Sequence, residues 1–170
     1  MMQEQVLSVF CALWLLLAGC SSDETTAPTG TQNNRTGSWT PTASATILRT
    51  SESGLENPRL AVVGDRPTWA EIWSETWKGA ADAPPLPEVD FVLSGVLVVG
   101  IGKRARPDYS VTIDSVVTYA NGAALYATEI QPSASCQATS GSSAPVHMVL
   151  MPGHPPVSDW RIGMSVRSCP

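Results

Sequence analysis

The first candidate for chemistry is the glycine-containing stretch VLVVGIGKRA at residues 96–105. Gly100, Gly102 and Ala105 have the spacing G-x-G-x-x-A, which in dinucleotide-binding proteins follows a strand and begins a helix. The amide groups and dipole of that helix bind the pyrophosphate. Here residues 109–119 alternate between apolar and polar, which predicts a strand and not a helix. We therefore predict no nucleotide site and interpret both glycines as the end of a strand.

The histidines and cysteines are the next candidates for chemistry. The chain contains two histidines, His147 and His154, and neither a G-x-S-x-G nor an H-E-x-x-H motif. Nucleophilic and zinc-dependent hydrolysis therefore lack the residues they need. Neither histidine lies at metal-ligand spacing from a cysteine or from the other histidine. We predict a protein that is not an enzyme and uses no metal or other cofactor, and interpret His147 as a structural strand residue.

The N-terminus has the pattern of a bacterial lipoprotein signal. An apolar run at residues 6–17 is too short to span a bilayer, and Ala18-Gly19-Cys20 follows it. The segment departs from the usual pattern because it has no Lys or Arg before the apolar run. We predict a signal peptide at 1–19 and acyl chains, such as palmitate, on Cys20, which anchor the protein to a membrane. Ser21 follows Cys20 where some bacteria use Asp for inner-membrane retention, which favours the outer membrane.

The remaining cysteines predict a disulfide. Cys11 is removed with the signal peptide and Cys20 is acylated, which leaves Cys136 and Cys169. Two remaining thiols in an exported domain usually pair. The alternative is two separate buried thiols.

Composition divides the rest of the chain into a stalk and one domain. The net charge of −5 gives no basic footprint for nucleic acid. After Cys20, the sequence up to residue 45 is rich in Ser and Thr and predicts a disordered stalk. Residues 46–170 show no repeat or further break in composition, so we predict that they form a single domain.

The predicted fold class is α+β, with a mainly antiparallel sheet of about five to six strands and one amphipathic helix. The helix lies within RPTWAEIWSETWKG, where Thr68 and Glu71 form a T-x-x-E capping box and Gly79 ends the run. Apolar residues recur at helical spacing and are interpreted as the face that packs on the sheet, and not as a ligand platform. They are Trp69, Ile72, Trp73 and Trp77.

A hairpin is predicted around Asn121-Gly122, a pair typical of two-residue type I′ turns. This register places Asp114 opposite Glu129, a like-charge pair that a bulge near Ser115 or a nearby cation would relieve. It also predicts one core face for the two strands. That face contains Val111, Ile113, Val117, Tyr119, Ala124, Tyr126 and Ile130.

The order of these elements resembles the C-terminal domain of the PrcB family, named after a lipoprotein subunit of a bacterial surface protease complex. The resemblance covers roughly residues 53–152. Its matching features are Trp69 and Trp73, Val89-Asp90-Phe91, Gly102 and the basic residue after it, Tyr109-Ser110-Val111, and Pro145. The family's Thr-Gly-Gly-Tyr turn is replaced here by Arg106-Pro107-Asp108-Tyr109.

The resemblance implies a lipid-anchored accessory or scaffold subunit that binds a surface or periplasmic protease. The candidate partner-binding residues lie in the turn after the central strand, where three cations fall within four positions; the alternative is a solvated turn. They are Lys103, Arg104, Arg106, Asp108 and Tyr109. Two other functions remain open: a protease inhibitor that inserts the turn at residues 104–108 into an active site, and a structural envelope lipoprotein without a protease partner.

Overall fold

A computed structural model describes residues 35–137 and 140–169. The fold is α+β, as predicted, but these residues contain eight strands, more than the five to six expected. The elements are β1 (Arg35–Trp39), a 3₁₀ turn (Ala43–Ala45), β2 (Thr46–Thr50), β3 (Pro58–Val63), α1 (Arg66–Thr76), β4 (Ser94–Ile101), β5 (Ser110–Tyr119), β6 (Gly122–Pro132), β7 (Val146–Pro152) and β8 (Val157–Arg167).

The strands form two four-stranded sheets and not one. Sheet A has the order β1-β5-β6-β8, and sheet B has the order β2-β7-β4-β3. Neighbouring strands are antiparallel except β6 and β8, which are parallel. No helix within the described ranges is long and apolar enough to cross a membrane.

Residues 35–45 differ from the predicted stalk at 20–45, because they include β1 and the 3₁₀ turn. β1 pairs with β5, and Trp39 packs against the apolar core between the sheets. This one tryptophan supplies the buried area that the Ser- and Thr-rich composition otherwise lacks. The predicted signal peptide at 1–19, Cys20 and residues 21–34 lie outside the described residues.

Sheet B is covered on both faces, which explains the uninterrupted apolar run of β4. Leu97, Val99 and Ile101 pack against β5 and β6 of sheet A, whereas Val96 and Val98 pack against α1. β7 divides its side chains in the same way, with Val149 and Met151 facing sheet A and Val146 and Met148 facing α1. A strand with two buried faces needs apolar residues at every position, so it loses the usual period of two.

The helix packs on sheet B through the predicted stripe, with Trp69, Ile72 and Trp73 buried. Its start was predicted wrongly: Asp65 is the N-cap, and its carboxylate accepts a hydrogen bond from the Thr68 amide at 2.9 Å. Asp is as good an N-cap as Thr, and this one allows Pro67 to occupy the first turn.

The β5–β6 hairpin is present, but its register differs from the prediction. Val117 lies opposite Ala124, and the strands are connected through Ala120 and Asn121, one position earlier than expected. The register shifts at Asp114, near the predicted bulge. Because an extra residue on one strand reverses which side chains point inward, the core face beyond the bulge is Val116, Ala123 and Leu125. Five residues predicted on that face are therefore not part of it: Val117, Tyr119, Ala124, Tyr126 and Ile130.

The C-terminal strand β8 is joined to the loop after β6 by the predicted disulfide. Cys136 and Cys169 are bonded, with their Cα atoms 5.4 Å apart. Closing a loop of this size stabilises the fold by about 3 to 4 kcal/mol in the chain-entropy model. The bond connects the end of an edge strand to the body of sheet A.

His147 is a buried polar group on β7, with 3% of its surface exposed. Its Nδ1 accepts a hydrogen bond from the Ile113 amide at 2.8 Å, so the proton of the neutral ring is on Nε2. That nitrogen lies 3.2 Å from the Thr46 hydroxyl. The pairing of β1 with β5 ends at Trp39 and Val116, so it does not reach Ile113. The His147 ring therefore accepts the hydrogen bond from the Ile113 amide in place of a β1 carbonyl. Desolvation, assisted by the charge of Arg49, lowers the pKa of His147 to about 4.

This lowered pKa predicts a loss of stability in mild acid. The unfolded chain binds a proton at His147 near its ordinary pKa of about 6.5, whereas the folded protein does not until about pH 4. The free energy of unfolding should therefore fall by about 2 kcal/mol between pH 7 and pH 5 from this residue alone. Urea unfolding at both pH values should show a smaller loss for His147→Gln than for the unmodified protein. His154→Gln is the control, and an equal loss in all three proteins would contradict the prediction.

Candidate functional site

The candidate site is the basic loop, residues 102–109, which connects β4 to β5. Gly102 begins it with φ +73°, and a Cβ at this position would lie 2.9 Å from the backbone of Asn57 and Pro58. A Cβ on Gly100 would lie 2.8 Å from the Leu55 side chain. Both glycines of the G-x-G stretch thus allow the segment before β3 to pack closely, and no helix begins after them. Without a helix N-terminus, the loop lacks the phosphate-binding geometry of a dinucleotide site.

Arg104 is held by an ion pair with Glu129, so a cation lies beside Glu129 as one of the two predicted forms of relief, although its identity was not predicted. Its Nε and Nη2 donate to the two carboxylate oxygens of Glu129 on β6, at 2.8 and 3.0 Å. The side chains are 30% and 12% exposed, so this bidentate pair is partly withdrawn from water. The hydrogen bond that Arg104 donates to Glu129 raises the pKa of Arg104. Glu129 lies opposite Val111, and not Asp114 as predicted; Asp114 accepts a hydrogen bond from Thr128 at 2.7 Å.

The loop backbone is fixed to the segment that precedes β7. Arg104 and Ser143 exchange two backbone hydrogen bonds, at 2.7 and 3.1 Å. The Ser143 hydroxyl also donates to the Arg106 carbonyl at 2.6 Å. Because β4 and β7 are neighbours in sheet B, these bonds continue their pairing beyond the strands. The basic loop is therefore a braced segment and not a freely solvated turn.

Arg106 and Asp108 lie inside the loop and partly neutralise each other. The Arg106 Nη2 is 3.7 Å from the Asp108 carboxylate, and its side chain is 22% exposed. The Asp108 carbonyl accepts a hydrogen bond from Arg167 at 3.1 Å, which links the loop to the end of β8. Tyr109 is half-buried beside them.

Lys103 is the most accessible of the three predicted cations. It is exposed, and its side chain forms no ion pair with another described residue. Its amide donates to the Glu56 carbonyl at 3.0 Å, which fixes the start of the side chain. Lys103 lies on an open cleft of about 560 Å³. The other charged residues on this cleft are Glu52, Glu56, Glu75 and Lys78.

Asp108 and Tyr109 lie on a second, smaller cleft of about 310 Å³. Arg49 from β2 and Arg167 from β8 complete it, and neither could be predicted from local sequence patterns, because both come from distant strands. The five candidate residues therefore lie on one braced loop, of which Lys103 lines the first cleft and Asp108 and Tyr109 line the second. No group of side chains that could hold a metal ion occurs among the residues that the structure describes.

The comparison with protein families identifies the same region. Residues 96–152 match the family model described as PrcB C-terminal. This segment runs from within β4 to the end of β7 and contains the basic loop. The chain thus resembles the PrcB family over this region, whereas Trp69 and Trp73, which also suggested the resemblance, lie outside the match. No curated protein and no solved structure matches the chain.

The partly buried Arg104–Glu129 pair predicts a measurable loss of stability when it is broken. Arg104→Ala leaves a carboxylate that is 12% exposed without its cation, which should lower the free energy of unfolding by about 2 to 3 kcal/mol. Arg66→Ala is the matched control, because it breaks a solvent-exposed pair with Glu88 (58% and 85% exposed) and should cost less than about 1 kcal/mol. Urea unfolding of both variants measures the difference, and equal losses would contradict it.

Proposed function

We propose that the protein is a lipid-anchored, non-enzymatic component of the cell envelope that serves as an accessory or scaffold subunit for a protease outside the cytoplasm. The observation that carries the proposal is the match of residues 96–152 to the PrcB C-terminal family. Because the matched segment contains the whole basic loop, we assign the protease contact to that loop.

The bracing of the loop supports a role in binding. Backbone bonds to Ser143 and the ion pair with Glu129 hold the loop in one shape before a partner arrives. A preorganised surface loses less conformational entropy on association than a mobile one. Lys103 and Ala105 are its exposed residues, so Lys103 provides the loop's accessible charge for a direct contact with the partner.

The same bracing favours an accessory role over a protease inhibitor. An inhibitor inserts an exposed side chain into the specificity pocket of its target, and the basic side chain of Arg104 is instead occupied by Glu129. Arg106 lies inside the loop and is 22% exposed. Neither arginine is presented as an inhibitor would require.

The membrane anchor is proposed from the sequence at Cys20, which lies outside the described residues. Cys20→Ala in the full chain should carry no acyl chain and should keep residues 1–19, since the signal peptidase of lipoproteins cuts only after the cysteine is acylated. Cys11→Ala is the control, because Cys11 belongs to the removed signal peptide. Fractionation and mass spectrometry of the mature N-terminus measure the result. An unacylated Cys20 in the unmodified protein, or removal of residues 1–19 from Cys20→Ala, would contradict the anchor.

The protease contact predicts that the tagged full chain recovers an active protease from detergent-solubilised envelopes. Lys103→Glu should lower the recovered casein-hydrolysing activity about fivefold, since loss of one favourable charge contact costs about 1 kcal/mol. Arg35→Glu, an equal charge change on β1, is the control. Recovery unaffected by Lys103→Glu would exclude this surface, and inhibition of the recovered protease by added protein would identify an inhibitor instead.

A further inference from the structure

The edge of sheet A carries an apolar stripe that the fold leaves uncovered. β8 is an edge strand of 11 residues. Its inward-facing side chains begin in the core, where Trp160 packs beside the sheet, and then continue into solvent. Ile162, Met164 and Val166 are 38%, 75% and 60% exposed. A long edge strand with exposed apolar residues is a template for pairing with another strand.

Alternate residues of β8 also direct unpaired backbone N–H and C=O groups away from the sheet. The Arg167 carbonyl accepts a hydrogen bond from Ser133 on the β6 side at 3.0 Å. Backbone groups of successive residues in a strand point to opposite edges. The N–H and C=O groups of Ile162, Met164 and Val166 therefore point away from β6. The residues with exposed apolar side chains are the same ones whose backbone groups face outward.

We propose that β8 pairs antiparallel with β8 of a second copy of the chain, about a twofold axis at Gly163. In this register Ile162 lies opposite Met164 of the second copy, and Trp160 lies opposite Val166. Asp159 lies opposite Arg167, whose guanidinium leaves the Asp108 carbonyl to reach this carboxylate. When the segment DWRIGMSVR lies antiparallel to a second copy of itself, apolar residues therefore pair with apolar residues and the acidic residue pairs with a basic one.

Other registers lose this complementarity. Moving the axis to Ile162 places Val166 opposite Ser158, and leaves Asp159 opposite Ser165. Moving it to Met164 places Arg161 opposite Arg167, a like-charge pair that destabilises the contact. Registers with the axis between two residues pair outward-facing backbone groups with inward-facing ones, so they cannot form the ladder. Gly163 is therefore the centre that the strand specifies.

The pairing has a direct consequence for both copies. The two A sheets become one continuous sheet, and each exposed apolar side chain gains an apolar cross-strand neighbour. The Asp159 carboxylate, which pairs with Arg161 at 2.7 Å in the single chain, comes to lie between Arg161 and Arg167 of the second copy. Because the axis repeats this contact, the interface contains it twice.

A cysteine at the axis tests the proposal. In the proposed register Gly163 lies opposite Gly163 of the second copy, in a non-hydrogen-bonded pair. The Cα atoms of such a pair lie about 4.5 Å apart, which is within the range of a disulfide. A Cβ at Gly163 has room, because its nearest neighbour is the Ala127 carbonyl at 3.9 Å. Full-length Gly163→Cys, oxidised in intact membranes, should give a disulfide-linked dimer on non-reducing gels.

Ser165→Cys is the matched control. Its two copies would lie about 14 Å apart, four residues along the strand, which is too far for a disulfide. Crosslinking of Gly163→Cys with little crosslinking of Ser165→Cys supports the register. Equal crosslinking of both variants, or no dimer from either, overturns the proposal. A β8 edge that instead pairs with a different protein or inserts into the bilayer gives the second result.

A charge swap tests the same register independently. In the Gly163→Cys background, Asp159→Arg creates two like-charge contacts with Arg167 and should weaken dimer formation about tenfold. Adding Arg167→Asp restores opposite charges and should recover the crosslinked fraction. Failure of the double change to recover it, while both variants remain folded by circular dichroism, would overturn the pairing of Asp159 with Arg167.

Discussion

The pairing of β4 with β7 is the constraint on which the rest of the structure depends, because both faces of this ladder must be removed from water. Sheet A covers one face and α1 covers the other. Any polar group in or beside it therefore needs a partner within the protein. Among the described residues, the three polar ones that are buried as whole residues each have one: Thr76 donates to the Ile72 carbonyl, Ser143 to the Arg106 carbonyl, and His147 accepts from Ile113.

The conformation of the basic loop depends on the pairing of β4 with β7. β4 leaves the sheet at Ile101, and the chain that enters β7 passes beside it, so that Arg104 and Ser143 bond as a continuation of the strands. The Arg104–Glu129 pair then joins the loop to sheet A. A surface proposed to bind a partner is thus held by both sheets, and its geometry depends on how the sheets are packed.

The sequence predicted those elements that depend on residues close together in the chain. The tryptophan stripe of α1, the apolar run of β4 and the Cys136–Cys169 bond were all predicted from nearby residues or simple counting. The failures depend on distant partners. β1 is ordered by pairing with β5 across about eighty residues, the bulge at Asp114 reverses a core face that alternation alone assigns wrongly, and Glu129 meets Arg104 because two different sheets meet there. For the candidate site, the sequence identified the loop but not Arg49 or Arg167, which complete its second cleft.

The route of the chain between the sheets has a consequence for how the molecule is assembled. β1 belongs to sheet A, β2 to β4 to sheet B, β5 and β6 to sheet A, β7 to sheet B and β8 to sheet A. In the part of the chain that the structure describes, β2 pairs with β7 alone, although about a hundred residues separate them. Such non-local contacts make folding slow and strongly cooperative. β7 belongs to sheet B, and β8 of sheet A follows it in the chain, so neither sheet can be completed until β7 has been synthesised. The first half of a nascent chain therefore contains no complete sheet against which later strands can pack.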